Sequence, residues 1–442
     1  MIIIRHQEEM EKKMQPANRK QIMPKVYLTC VTTDKFKTGY YSVSLVTPLE
    51  KSAAAVNALL PRVLRRGTSR LPDMESLAAE LDMLYGARIE PTVRKKGEKQ
   101  LTGLSADFVD DAFVPEKDVL ERVIGLVGEI MISPSTTGGR LRAEYVDSER
   151  DKLADEIRSL INDKRSYAEI RLIEKMCDGE AYAVPCLGTE AETEKITVYS
   201  ASKKYRELLA SAVVEIFYCG SASFERVERA TLDAFSALPR ADLAERHGTE
   251  VLLEPKRPEL REFSDLMDVA QGKLAIGCRM GKAMAAPNYA AISVTNAVFG
   301  GSVTSKLFLN VREKLSLCYY AGSRVDRHKG IMLISSGINL DKYDEALSEI
   351  TRQLDAVKAG DISARELDGA KRALITSLRT AQDSARRTEE FYLDEALLGL
   401  EYTPDDVAAL VSLVTAEEVA ETASGIRMDA VYFLKGAVTG ES

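Results

Sequence analysis

The pattern of apolar and polar positions predicts an alternation of strands and helices over the first half of the chain. Residues 25–33 and 40–47 are rich in β-branched and aromatic side chains, which favours extended strands. Over 116–131 the apolar residues share one helical face, which predicts a helix packed against a core. By the same criteria we expect further helices at 52–65, 73–85, 141–163, 166–177 and 224–237, a hairpin at 88–107 and a strand at 212–219.

The second half repeats this order after a charged stretch. Residues 239–262 contain three prolines and many charged side chains, which predicts a linker. The run Ile196-Thr197-Val198, followed by a polar helix and a strand, is echoed by Val414-Thr415 with the same elements after it. Beyond the linker we expect strands at 268–280, 317–326, 330–338 and 430–434, and helices at 287–299, 304–314, 342–358, 364–385, 388–399 and 416–424.

This weak self-similarity has a period of about half the chain, far longer than the ~20–50 residues of solenoid repeats, and indicates duplication of a whole domain. We therefore expect an α+β protein with two domains of like topology. Each domain should hold a mixed, mostly antiparallel sheet with helices packed on one side. The expected division is an N-terminal extension at 1–24, a first domain at 25–238, the linker at 239–262 and a second domain at 263–442.

Composition narrows the possible partners and location. The 442 residues carry a formal net charge of −8, which argues against nucleic acid or an anionic membrane as the main partner. No segment approaches the ~18 apolar residues of a membrane span, and the N-terminus lacks the apolar core of a secretory signal. The six cysteines are scattered without CxxC spacing, which is typical of a reducing compartment. We therefore expect a cytoplasmic protein.

Histidine is too scarce for a local metal motif. The chain has three histidines, and no two lie within a helical turn of each other, so a two-histidine zinc motif cannot be built on one helix. We expect no bound cofactor and no metal. The histidines are His6, His247 and His328.

The most informative segment spans residues 57–68, with the sequence NALLPRVLRRGT. A helix that ends in Arg-Gly-Thr, then a helix that begins after a proline, then Tyr85-Gly86-Ala87, resembles the pitrilysin/insulinase family of zinc metallopeptidases. The branch of the mitochondrial processing peptidase is the closest in pattern. In that family this helix carries H-x-x-E-H, in which two histidines ligate zinc and the glutamate polarises the attacking water. The resemblance extends from about residue 25 to 436.

The functional groups of that motif are absent here. Aligned on Gly67-Thr68, the three motif positions are Ala58, Pro61 and Arg62. Alanine cannot ligate a metal, proline supplies no base, and arginine repels a cation. The resemblance therefore implies a degenerate member that is inactive on its own. A proline inside a helix costs ~3 kcal/mol or more, so we expect Pro61 near the first turn of its helix or at a kink.

Downstream, the run Glu149-Arg150-Asp151-Lys152-Leu153-Ala154-Asp155-Glu156 resembles the family helix that supplies the third zinc ligand. In that register Glu156 takes the place of the ligand, and Glu149 takes the place of a supporting acid. One carboxylate does not make a zinc site. The alternative interpretation is a helix whose acids are simply solvated, as in many exposed helices.

The second half keeps more of the family pattern. Gly300-Gly301-Ser302, a helix at 305–314 and the strand start Leu317-Cys318-Tyr319 are similar to its Gly-rich loop and R-E-x-x-x-L-x-Y segment. The resemblance implies that Arg312 and Tyr319 bind substrate backbone and stabilise the tetrahedral oxyanion. The alternative is an arginine in a structural ion pair and a half-buried tyrosine.

The resemblance also implies a clam-shell arrangement around a peptide chamber, in which substrate adds as a strand to a sheet edge. We expect a non-catalytic subunit of a two-subunit zinc peptidase that processes peptides. Its partner would be a homologous catalytic subunit with an intact zinc motif. A homodimeric peptide-binding or scaffold protein with no proteolytic role is the alternative. An enzyme with a new, non-zinc site is a third hypothesis, since one fold can host unrelated chemistries.

Overall fold

The computed structural model describes residues 17–240, 249–282 and 288–436. These residues form an α+β fold with two large mixed sheets and a short hairpin, which confirms the predicted fold class. The strands are β1 (Asn18–Met23), β2 (Val26–Thr32), β3 (Thr38–Pro48), β4 (Arg88–Lys96), β5 (Lys99–Val109), β6 (Thr136–Thr137), β7 (Arg140–Leu141), β8 (Val213–Gly220), β9 (Arg261–Met267), β10 (Gly272–Arg279), β11 (Cys318–Asp326), β12 (Ile331–Ile338) and β13 (Arg427–Gly436).

The helices alternate with these strands in the expected order. Their first turns are often capped by a serine, threonine or aspartate side chain that accepts a backbone N–H, as at Asp73 and Ser363. The α-helices are α1 (Ala54–Leu64), α2 (Met74–Met83), α3 (Val119–Ile132), α4 (Ala143–Ser159), α5 (Lys164–Met176), α6 (Glu190–Thr193), α7 (Val198–Ser211), α8 (Phe224–Ala234), α9 (Tyr289–Asn296), α10 (Tyr343–Lys358), α11 (Ala364–Ala381), α12 (Ala385–Leu398), α13 (Pro404–Leu413) and α14 (Ala416–Ser424). Ala297–Gly301 and Leu307–Lys314 are π-helical.

The two sheets share one topology. The first has the order β1-β2-β8-β3-β5-β4, and the second has the order β11-β12-β10-β13-β9. In the first sheet β2 runs parallel to β8, and every later pair is antiparallel. In the second, β9 runs parallel to β13, and every later pair is antiparallel. The series β2-β8-β3-β5-β4 therefore matches β9-β13-β10-β12-β11, as expected for a duplicated domain.

Each sheet buries one face under helices of its own half. Val123 and Val127 of α3 belong to the core of the first half, and Ile350 of α10 belongs to the core of the second. The opposite faces look toward each other in a clam-shell arrangement. The halves are thus built as the sequence predicts, with one sheet and one helical layer each.

The inner face of each sheet, which looks toward the other half, is covered by a helix that belongs to the other half. Helix α5, from the first half, packs Leu172 and Met176 against Leu333 and Tyr432 of the second sheet. Helix α12, from the second half, packs Leu393 against Val46 of the first sheet. Each half therefore supplies the helix that covers the other half's inner sheet face.

Buried ion pairs reinforce this exchange. Arg279 of β10 is fully buried, and its guanidinium donates to Glu180 at 2.6 and 3.1 Å and to Asp429 at 2.9 Å. Lys329, also fully buried, donates to Glu180 at 2.8 Å and to Glu98 at 2.6 Å. Glu180 and Glu98 belong to the first half, and both cations belong to the second, so these bonds join the halves.

A second set of pairs binds α12 to the first sheet. Arg94 of β4 holds the buried Glu389 with two bonds of 2.7 Å, and Lys96 holds Asp394 at 2.9 Å. His328, in the turn after β11, lies 2.8 Å from the same Asp394. The acids of α12 therefore face partners from both sheets.

The structure differs from the sequence prediction at three elements. Strand β1 lies in the segment that the sequence predicts to be an extension without regular structure. Its side chains are mostly polar and exposed, so the sequence does not show the apolar alternation typical of a strand. Strand β9 (261–267) was not expected, whereas the strand expected at 268–280 is β10; in the sheet β13 lies between β9 and β10. Helix α13 was not expected, although Thr403 and Asp406 form a capping box around Pro404.

Parts of the predicted division lie outside the described residues, namely 1–16 of the extension, 241–248 of the linker and 437–442 at the end of the second domain. Strand β9 begins at Arg261, inside the predicted linker. The described part of that linker contacts both halves: the Thr249 hydroxyl accepts the Glu98 N–H at 2.9 Å, and the Glu250 carbonyl accepts from Lys329 at 2.6 Å.

Replacing Arg279 should strongly destabilise the protein. Arg279→Met leaves Glu180 and Asp429 buried without their main cation, and breaking a buried pair in this way costs about 3–5 kcal/mol. The matched control is Arg158→Met, which removes only exposed pairs with Asp155 and Glu190 and should leave the stability nearly unchanged. Urea unfolding of both variants checks the difference. Equal losses would contradict the role assigned to Arg279.

The same network predicts a specific acid sensitivity. Burial acts to raise the pKa of Glu180, but the hydrogen bonds and charges of Arg279 and Lys329 outweigh it and lower the pKa from 4.5 to about 2. The unfolded chain takes up this proton at a higher pH than the folded chain. The stabilisation is therefore complete above pH 4.5 and is lost as the pH falls toward 2. Glu180→Gln should flatten this loss when unfolding is measured at about pH 6 and about pH 3.

Candidate functional site

The helix that carries the degenerate motif is α1, and its apolar face lies in the core of the first half. Ala58 is completely buried there, beside Leu59 and Val63. Pro61 is inside the helix, in its last turn rather than its first, so the expected placement near the first turn is wrong. The helix continues to Leu64 because its apolar residues pack against the core. The loss of one backbone donor near its end is offset by that burial.

Arg62 and Glu156 meet where the resemblance places the zinc site. The Arg62 Nη1 atom donates to Glu156 Oε2 at 2.6 Å, which joins α1 to α4. In the turn just after α1, Arg66 Nη1 donates to Glu149 Oε1 at 2.9 Å. The order of the pairs reverses between the helices, so α1 and α4 run antiparallel. The structure therefore brings the motif position Arg62 and both acids of α4 together.

The residues at this position do not fit zinc. A catalytic zinc needs three protein ligands, and Glu156 is the one carboxylate left at the equivalent positions. Its charge is already paired with the Arg62 guanidinium. Over residues 17–240, 249–282 and 288–436, no group of three or more His, Cys, Asp or Glu side chains is arranged to hold a metal ion. An ion pair stands where the family's metal would bind.

Glu149 is more deeply held than Glu156. It is buried and accepts from both Arg66 and Lys152, the latter at 2.7 Å. The Arg66 guanidinium also lies over the ring of Tyr145, 5.1 Å from its centroid. Arg66 was not identified from the sequence, although its position one turn after Arg62 would have suggested a second pair with α4. Together the two pairs tie α1 and α4 where a metal could have bridged them.

The end of α1 also changes the neighbouring sheet edge. Arg65 donates through Nε to the backbone carbonyl of Ile89, in the edge strand β4, at 2.6 Å. Backbone groups of alternate residues face the same way in an antiparallel strand, so Pro91 also faces outward. Proline offers no N–H there. On this edge of β4 the Ile89 carbonyl is already bonded to Arg65, and Pro91 has no N–H to donate. Both facts weaken the pairing of an added strand with this edge.

Arg312 and Tyr319 lie at the surface of the second half, apart from this ion-pair site. Tyr319 is 59% exposed at the start of β11. The Arg312 side chain is 42% exposed, lies 3.5 Å from the adjacent Glu313, and stacks on the Phe308 ring at 4.7 Å. Among the described residues, no hydrogen bond or ion pair links Arg312 or Tyr319 to α1 or α4.

The backbone around Arg312 and Tyr319 is irregular. The first π-helical segment contains Gly300 and Gly301 of the expected Gly-rich loop, and the second carries Arg312. Ser316, three residues before Tyr319, has a φ of 49°, which is rare for a residue with a side chain. Such departures from regular geometry cluster at functional sites, because they persist only where the surrounding structure enforces them. The sequence gives no signal for either feature.

Apolar side chains are exposed on the same segment. Val303 is 71% exposed, Leu309 40% and Leu315 45%. We call these three residues, with Arg312 and Tyr319, the 303–319 surface. An exposed apolar group of this kind, with a cation among it, is typical of a surface that contacts another protein.

No helix of the described residues combines the length and apolar composition that a membrane span requires.

Comparison with known proteins agrees with these observations. The family model for the Peptidase M16 inactive domain matches residues 195–374. The chain is 32% identical to the probable inactive metalloprotease YmfF of Bacillus subtilis, over 92% of this chain and 95% of that protein. It is 29% identical over 129 residues to an uncharacterized zinc protease of the same organism, YmxG, which covers 28% of this chain and 32% of YmxG. The crystal structure of a conserved protein from Enterococcus faecalis superposes with a TM-score of 0.86 at 27% identity, over 97% of this chain and 100% of the other.

We expect the purified protein to hold far less than one zinc per chain. Ala58 and Arg62 supply no ligand, and Glu156 alone cannot retain the ion. Metal analysis of protein prepared without chelator measures the content. The variant Arg62→Ala should give the same result, because removing the guanidinium frees Glu156 without adding a ligand. Stoichiometric zinc in either protein would overturn this interpretation of the site.

Proposed function

Because the chain belongs to the M16 peptidase family and lacks the family's zinc ligands, we propose that it is the non-catalytic subunit of a two-subunit zinc peptidase. The partner is a homologue with an intact H-x-x-E-H motif. This chain contributes Arg312 and Tyr319 to the partner's site and forms part of the chamber that receives peptide.

The exposure of Arg312 and Tyr319 is the observation that carries this proposal. A structural arginine would be held by a buried acid, as Arg279 is held by Glu180 at 2.6 Å. Arg312 instead has a loose contact with its neighbour, and Tyr319 projects from a strand start next to a strained residue. Exposed polar side chains near an irregular backbone, held only by neighbours on the same segment, are suited to a ligand or to a second protein.

The chemistry of the two side chains fits the role. A guanidinium donates two parallel hydrogen bonds to a carbonyl or an oxyanion, and a phenol donates one. Donors fixed in this way stabilise the negative charge that develops on the substrate oxygen when water attacks a peptide bond. The partner would supply the zinc and the base, and this chain would supply these donors.

The surroundings favour a second protein over a small ligand. Val303, Leu309 and Leu315 lie on the same segment of the chain as Arg312 and Tyr319, and their apolar side chains are exposed. A partner that covers them would gain hydrophobic stabilisation of about 25 cal/mol per Å² buried. It would also exclude water from Arg312 and Tyr319, which strengthens their electrostatic effect.

The relatives supply indirect support. Bacillus subtilis has one relative of this chain named as a probable inactive metalloprotease and another named as a zinc protease. An organism can thus hold both kinds of chain. The weakened edge of β4 counts against the alternative of a peptide-binding scaffold that takes its ligand as an added strand at this edge.

Substitution of Arg312 or Tyr319 in the reconstituted pair tests the proposal. Removing one oxyanion donor typically lowers the rate by ~100–1,000-fold, so Arg312→Ala or Tyr319→Phe should cut peptide turnover by about this factor while the complex still assembles. The readouts are cleavage of a quenched fluorescent peptide and size-exclusion chromatography of the pair.

The matched control is Arg352→Ala. Arg352 lies on α10, its side chain is 65% exposed, and its partner is Glu349 on the same helix. This variant should leave turnover and assembly unchanged. If Arg312→Ala and Tyr319→Phe also turn over at the wild-type rate, the shared site is rejected. If the chain forms a homodimer and does not bind the catalytic homologue, the scaffold alternative is correct instead.

A further inference from the structure

A cavity of about 380 Å³ lies at the junction of the two halves, on the inner face of the first sheet. Its floor is formed by β1, β2, β8 and the end of β3, and its far wall is the C-terminal end of α12. This volume is within the range of small-molecule sites, which often lie between domains. Nothing in the degenerate zinc site or the 303–319 surface involves this cavity.

Charged groups line one side of the cavity. Glu215 of β8 is 7% exposed and accepts from Arg19 Nη2 at 2.6 Å. Lys99, at the start of β5, donates through Nζ to the carbonyl of Leu397 at 3.1 Å. The Arg19 guanidinium lies flat over the ring of Tyr27, 4.2 Å from its centroid. The cations therefore outnumber the single carboxylate, and Arg19 and Lys99 are both fixed in place.

Apolar groups line the other side. Val46 and Pro48 from the end of β3, Val213 from β8, and Ala396 and Leu397 from α12 supply this wall. Val46, Val213 and Leu397 belong to the small cluster through which α12 packs on the first sheet. The cavity is thus amphipathic, with two fixed cations facing an aliphatic surface.

We propose that this cavity binds an amphipathic monocarboxylate, with the carboxylate on Arg19 and Lys99 and the aliphatic part against Val213 and Leu397. The ligand is either a free acid or the C-terminus of a peptide with an apolar last residue. A cationic ligand would be repelled by the excess positive charge, and a purely apolar one would desolvate that charge without neutralising it. This inference does not depend on the proposed subunit role.

Glu215 makes the binding depend on pH. Burial raises its pKa to about 7, against the opposing effects of Arg19 and Lys99. The other ionisable side chains that face it from the cavity lining are Lys25 and Tyr27, and α12 presents only backbone and apolar groups there. Below about pH 7 a neutral Glu215 no longer repels the ligand's carboxylate, so binding should strengthen as the pH falls.

Calorimetric titration of the full chain with two matched pairs tests the proposal. The first pair is octanoate and octanamide, and the second is N-acetyl-leucine and N-acetyl-leucinamide. We expect one acid to bind, its amide to bind at least about tenfold more weakly, and affinity for the acid to be higher at pH 6 than at pH 8.

Binding of octanoate alone identifies a free acid as the source. Binding of N-acetyl-leucine identifies a peptide C-terminus. Failure of both acids at millimolar concentration overturns the proposal, as does equal binding of acid and amide.

Three variants locate the site. Ala396→Phe fills the cavity and should abolish binding, and Lys99→Met removes one cation and should weaken it about tenfold. Glu215→Gln should keep binding but remove its pH dependence. Lys342→Met, at the start of α10 in the other half, is the matched control and should bind as the wild type does. If Ala396→Phe does not fold, Lys99→Met and the pH profile of Glu215→Gln still decide. Unchanged binding in the folded cavity variants rejects the location.

Discussion

Glu180 is the group on which the relation between the two halves depends. It is itself buried, and it accepts from Arg279 and Lys329 of the second half, both fully buried. A buried pair of this kind adds little net stability compared with apolar packing, but a missing partner is very costly. The network therefore acts mainly as a constraint. It allows one arrangement of the halves, in which every buried charge is met, and penalises any sliding or opening that separates them.

Ion pairs stand at the positions where the family's motif has its metal ligands. In the family's active pattern a metal would hold the motif helix to the helix of the third ligand. In this chain Arg62 and Arg66 hold α1 to α4 through Glu156 and Glu149. Two ion pairs preserve the packing of these helices without the reactive centre. The same end of α1 places Arg65 on the edge of β4.

The sequence predicts those parts of the structure that depend on residues close together in the chain. The fold class, most helices and the position of Arg62 and Glu156 follow from periodicity and from one motif alignment. It does not predict contacts between residues that are far apart in the chain. Glu180 meets Arg279 across 99 positions, and nothing near either residue indicates the other. Strands β9 and β10 follow each other in the chain but are not neighbours in the sheet, because β13, which comes much later in the chain, lies between them. The positive φ of Ser316 and the π-helical segments depend on how the surrounding structure packs, and the local sequence does not indicate either of them.

The exchange of α5 and α12 between the halves has a consequence for synthesis on the ribosome. The inner face of the first sheet, with Tyr40 and Phe217, is complete once β8 has been made, yet α12 covers it only after most of the second half has emerged. Until then the nascent chain presents an apolar sheet face and the uncompensated cations Arg94 and Lys96. Such a surface invites misassociation with neighbouring nascent chains. The first half therefore cannot complete its own inner sheet face, and that face reaches its native packing only when α12 docks late in synthesis.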